Sequence, residues 1–127
     1  MMKKTVFMSV LLVVLASFTY AQTQDSIIFT STTYDYGVIE QGGDGLCEFT
    51  FTNKGEKPLI LSNVRAACGC TVPEWPREPI MPGESNSIKI KYNTNIIGTF
   101  SKTIQVYSNA VNSHVVLTIT GQVNKQE

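Results

Sequence analysis

Residues 47–53, CEFTFTN, place Cys47, Phe49 and Phe51 at every second position, with Glu48, Thr50 and Thr52 between them. Side chains of an extended strand point alternately to opposite faces, so this stretch carries one apolar and one polar face. An amphipathic helix would instead repeat its apolar residues every three to four positions, and no window downstream does so. The period of two recurs. SIKIKYN (87–93) directs Ile88, Ile90 and Tyr92 inward and Lys89 and Lys91 outward. TFSKTIQVYS (99–108) sets Phe100, Ile104 and Val106 on one side, with Lys102 expected near a solvent-facing end. HVVLTITG (114–121) predicts Val115, Leu117 and Ile119 inside and His114, Thr118 and Thr120 outside. Further strands are expected in SIIFTST (26–32) and KPLILSNV (57–64), and a shorter one around YDYGVIE (34–40).

Strand breakers separate these runs. QGGDG (41–45), NKGEKP (53–58), MPGES (81–85), NTNIIG (93–98) and SNAVN (108–112) supply the Gly, Pro and Asn of tight turns. Roughly seven short, regularly punctuated strands over about 100 residues predict an all-β fold, an antiparallel β-sandwich of immunoglobulin-like type. A small barrel is the alternative closure of the same strands.

The beginning of the chain has a different character. MMKK is positively charged, TVFMSVLLVVLASF (5–18) is an unbroken apolar run, and TYAQ (19–22) offers small residues at Thr19 and Ala21. That order describes a secretory signal peptide, residues 1–21, cleaved after Ala21. Retention as a membrane anchor is the competing reading, but polar residues dilute the last third of the stretch. The expected product is an exported domain, residues 22–127, periplasmic or secreted, with no membrane span after cleavage. Removing Lys3 and Lys4 from ten basic residues leaves eight against ten acidic ones, a formal charge of −2. So even a balance offers no electrostatic footprint for nucleic acid or anionic lipid.

The ordered series YDYGVIEQG (34–42), FTFTNKGEKPLIL (49–61), CGCT (68–71), PGESNSIKIKYNT (82–94), GTFSKTIQVYSN (98–109) and LTITGQV (117–123) resembles the bacterial family called domain of unknown function 1573. The resemblance runs from about Thr32 to Val123, and CGCT between the NKGEKPL and PGES turns is its most specific element. It implies an exported Ig-like sandwich, distantly similar to the major sperm protein and pilus-chaperone type, with no established activity and no cofactor. Cys47 departs from the pattern, which has a plain apolar residue at that inward position.

Three cysteines in an exported chain leave at least one unpaired in any intramolecular scheme. Cys68 and Cys70 flank one glycine. Residues two apart on a strand lie roughly 6.6 Å apart at Cα, near the upper limit for a disulfide. A bridge between them therefore requires Gly69 to bend the chain. Three thiols are disulfide candidates: Cys47, Cys68 and Cys70, with Cys47 reaching one of the others across the sandwich as a further pairing. The same spacing suits two thiolates gripping a soft ion, Cu(I) or Zn(II), or a redox pair. Tetrahedral zinc wants four ligands, and the sequence adds to its thiols only His114, which the alternation sends outward.

Other chemistry is thinly represented. His114 reads as a solvated surface imidazole, no serine has a nucleophile-elbow setting, and the acidic residues are scattered singly. No catalytic residue is assigned. Trp75 sits in VPEWPREP (72–79), either covering one end of the core or forming with Thr71 and Arg77 an exposed contact surface. The functional expectation is a non-enzymatic binding or structural module of the bacterial envelope, taking a protein partner by strand addition at a sheet edge. The alternative is a small thiol-based metal or redox protein using Cys68 and Cys70.

Overall fold

The computed structural model describes residues 26–126, so the expected signal peptide lies outside the described residues. Eight strands occur in the order β1 (Ile27–Phe29), β2 (Thr33–Glu40), β3 (Leu46–Asn53), β4 (Leu61–Ala66), β5 (Thr71–Glu74), β6 (Ser85–Tyr92), β7 (Gly98–Ser108) and β8 (His114–Asn124). They form two four-stranded sheets, β1-β3-β6-β5 and β2-β8-β7-β4. The fold is thus an open two-layer sandwich and not a barrel. Among the described residues no helix is long and apolar enough to cross a membrane.

The alternation that predicted β3 is what buries it. Cys47, Phe49 and Phe51 are 5%, 2% and 0% exposed and pair with Ile90, Ile88 and Asn86 of β6. From the facing sheet, Ile104, Val106, Leu117 and Ile119 pack against this layer. Each such aliphatic or aromatic side chain contributes about 1.5–3 kcal/mol on leaving water, so these two rows account for most of the cohesion between layers. Tyr92 and Phe100 stack at 3.8 Å between ring centroids, bridging the sheets at one end.

The expected immunoglobulin-like sandwich forms, and several details within it differ from expectation. The sandwich is not wholly antiparallel, because β2 runs parallel to β8. After three residues of β1 the chain crosses at Thr30–Thr32 to the other sheet, where β2 lies beside β8 in the parallel sense. SIIFTST therefore yields the shortest strand, and the YDYGVIE region an eight-residue one. That strand is irregular: its register with β8 shifts between Asp35 and Val38, where Gly37 adopts φ 69° and its N–H donates to Asp35 Oδ1. Lys102 is not near a strand end. It lies mid-way along β7 on the inward row between Phe100 and Ile104, tolerated because β4 pairs with β7 only from Ile104 onward. Val115 is half-buried, less enclosed than the alternation suggested. VPEWPREP supplies an additional short strand, β5.

The NKGEKP turn is organised by a buried amide. Asn53, 1% exposed, donates from Nδ2 to the carbonyls of Lys57 and Ile80, both at 2.8 Å, and accepts from Gly55 N–H at 2.9 Å. Its backbone also accepts from Gly83 N–H, so one residue joins the NKGEKP and MPGES turns.

Candidate functional site

The link from β4 to β5 is a tight turn, Ala67–Cys70, at one lateral rim of the sandwich. It brings Cys68 and Cys70 Sγ into contact, with the Cα atoms 5.3 Å apart. Gly69 makes the bend that the strand spacing required. Both cysteines are half-exposed. Three backbone bonds hold the turn independently of sulfur: Ala67 N–H to Thr103 O (3.2 Å), Asn93 N–H to Cys70 O (2.8 Å) and Thr71 N–H to Cys68 O (3.4 Å). A disulfide here closes a loop of three residues, and loop-closure entropy then stabilises by only about 1.6 kcal/mol, against about 3 for a fifteen-residue loop. The rim is shaped chiefly by its backbone bonds.

Thr71 does not belong to an exposed surface. It is 3% exposed, and its hydroxyl lies 3.6 Å from Cys70 Sγ. Inward alternation at the start of β5 puts it there. Trp75 combines the two roles weighed for it. The ring is half-buried and packs against the core, while Arg77 Cζ sits 3.7 Å above its centroid. Such a cation–π contact at an exposed site is worth about 0.5–1 kcal/mol. The Trp75 indole N–H is buried without a hydrogen-bond partner. Outside the ring, Glu74, Trp75, Pro76, Asn86, Ser87 and Lys89 line a shallow depression of about 260 Å³.

Cys47 stands apart from this rim. It is buried on β3 beside Tyr36, whose hydroxyl donates to Gly45 O at 2.7 Å. Burial pushes the Cys47 thiol above its ordinary range, offset in part by the Tyr36 hydroxyl. The pairing of Cys47 with either rim cysteine is therefore absent. His114 is exposed, stacks on Tyr107 at 4.7 Å, and contacts Gln105 Oε1 through Nε2 at 3.0 Å. Among the described residues no three of His, Cys, Asp and Glu gather as a metal-binding group.

Of the four edge strands, β1, β5, β2 and the six-residue β4, the first three differ in how open they are, which the sequence did not reveal. Edge strand β1 is clamped by Asn112 from the β7–β8 turn: Ile27 N–H donates to Asn112 Oδ1 (3.0 Å), and Asn112 Nδ2 donates to Ile27 O (2.8 Å). Edge strand β5 contains Pro73, which has no N–H, and its Thr71 N–H is already taken by Cys68 O. The Cys turn joins β5 to β4 along the same rim. Edge strand β2 has eight residues, with Tyr34 and Val38 40% and 67% exposed.

The family described as Protein of unknown function (DUF1573) matches residues 27–123. The chain belongs to that family. Among solved structures, the DUF1573 chain is similar to a protein of unknown function from Porphyromonas gingivalis W83, with TM-score 0.69 and 20% identity, over 84% of this chain and 50% of that one. It is similar to PapD-like domain 7 of human CEP192, with TM-score 0.66 and 9% identity, over 86% of this chain and 92% of that one. It is also similar to the periplasmic chaperone SfaE, with TM-score 0.53 and 14% identity, over 80% and 59% of the respective chains. At these identities the likeness is one of fold. A curated relative, the probable mitochondrial aconitate hydratase of Dictyostelium discoideum, is 33% identical over 67 residues, 51% of this chain and 8% of that protein. The chain thus spans about half the length of the Porphyromonas structure and a small fraction of the curated relative.

Proposed function

We propose that this DUF1573 protein is a non-enzymatic binding module of the bacterial envelope, exported by a signal peptide at residues 1–21, that takes a protein partner by strand addition along β2. The observation that carries the reading is the contrast among edges: β1 is clamped by Asn112, β5 lacks free N–H groups at Thr71 and Pro73, and β4 has six residues, whereas β2 has eight and presents Tyr34 and Val38, with only its Thr33 and Gly37 N–H groups held by the side chains of Ser31 and Asp35. An open edge strand is a template for another chain, and apolar side chains beside it give the added strand something to bury. The bulge at Gly37 divides the edge, so the docking segment is short, pairing on one side of Asp35–Val38 or the other. Export is supported by the charged-then-apolar beginning of the chain and by the likeness to a periplasmic chaperone.

Photocrosslinking tests this in the exporting bacterium, with a benzophenone amino acid placed singly at Val38, Ile60 and Arg77. The expected result is a discrete protein adduct from position 38 in the periplasmic or secreted fraction; a further probe at Tyr34 gives the same adduct, and Val38→Pro in that Tyr34-probe variant abolishes it. Adducts only from positions 60 or 77, or protein retained in the cytoplasm, would overturn it.

A further inference from the structure

The rim turn has features that a docking role does not use. Cys68 and Cys70 are both half-exposed and in sulfur contact, yet their turn is held by its own backbone bonds to Thr103 and Asn93. A bridge across three residues restrains little of the unfolded chain, so opening it costs the fold little. The two sulfurs are also unequal. Cys70 packs against the core and has the buried Thr71 hydroxyl 3.6 Å from its Sγ, whereas Cys68 is not among the side chains packed there. On the other side, the β4–β7 register runs from Ala66 opposite Ile104 to Ala67 N–H on Thr103 O. A hydroxyl donor beside a sulfur favours its thiolate form.

We propose that Cys68 and Cys70 form a thiol–disulfide exchange site, with a cysteine pair of another exported protein as its substrate. A thiolate of the partner dithiol attacks Cys68 Sγ, and a mixed disulfide forms as the Cys68–Cys70 bond breaks. Cys70 leaves as a thiolate that accepts the Thr71 hydroxyl hydrogen bond. The partner's second thiolate then attacks its own sulfur in the mixed disulfide and releases Cys68. The partner dithiol is oxidised to a disulfide, the rim pair is reduced, and the two protons lost by the partner pass to Cys68 and Cys70. Cys47 takes no part, being buried beside Tyr36 on β3.

The test equilibrates the purified exported protein in graded mixtures of reduced and oxidised glutathione, quenches with acid, alkylates, and counts labels by intact mass. The expected result is a reversible two-thiol transition at Cys68 and Cys70, with unchanged far-ultraviolet circular dichroism in both forms. Cys70→Ser accumulates a glutathione adduct on Cys68. Thr71→Val shifts the equilibrium toward the disulfide by about tenfold, and Thr71→Ser, which keeps the hydroxyl, restores it. Three results would each overturn the proposal: a pair that stays oxidised in a large excess of reduced glutathione, loss of the folded spectrum on reduction, or a stoichiometric soft cation held by the two thiols of the purified protein.

Discussion

Replacing Asn53 by alanine tests the claim that one buried amide fixes the NKGEKP turn. The wild-type side chain makes three hydrogen bonds at 2.8–2.9 Å while 1% exposed. In Asn53→Ala the Ile80 carbonyl keeps its bond from Leu59 N–H, but Lys57 O and Gly55 N–H lose these side-chain partners. Three bonds at about 1 kcal/mol each, plus the added penalty of burying unpaired groups, give a loss of about 3–5 kcal/mol. For a domain near 100 residues that corresponds to a fall in Tm of roughly 15–30 °C. Asn53→Asp separates hydrogen bonding from volume: it keeps an acceptor for Gly55 but turns a carboxylate oxygen toward two carbonyls, so at neutral pH it should be no better than alanine. Urea denaturation of the purified chain, followed by tryptophan fluorescence of Trp75, measures both. A loss below about 1.5 kcal/mol for alanine, or an aspartate variant as stable as wild type, would refute the reasoning.

Other outcomes follow from the same structure. Asn112→Ala removes both bonds to Ile27 and should cost about 1–2 kcal/mol; by unclamping β1 it should also raise self-association, visible in sedimentation velocity. Gly121→Ala places a Cβ 2.7 Å from Phe100 Cζ and 3.0 Å from Tyr36 Cβ, so the Phe100–Tyr92 stack must shift. The expected cost is about 1–3 kcal/mol with an altered near-ultraviolet dichroism spectrum. Burial raises the folded pKa of Cys47 above 9.0 and those of Tyr36 and Tyr92 above 10.0. The unfolded chain then ionises first, so stability is intact below about pH 9 and falls as pH rises toward the folded values. Tm measured against pH checks the sign, and Cys47→Val should flatten the earliest part of the decline.

The sandwich was legible in the sequence because its strands are amphipathic with a period of two. Phe49, Phe51, Ile88, Ile90, Ile104, Leu117 and Ile119 fall on buried positions whatever the strand order, since alternation alone assigns a face. Turn residues set the breaks for the same local reason. The cysteine spacing likewise defined what Gly69 had to do for the rim sulfurs to meet. What local pattern does not carry is which strand lies beside which. The parallel β2–β8 pair, the accommodation of Lys102 on the inward row and the Asn112 clamp all join residues distant in sequence or depend on a neighbouring strand's end. Periodicity assigns each side chain a face of its own strand. Only packing the two sheets decides which edges are closed and which polar group meets which, because those contacts arise from pairings that no single strand encodes.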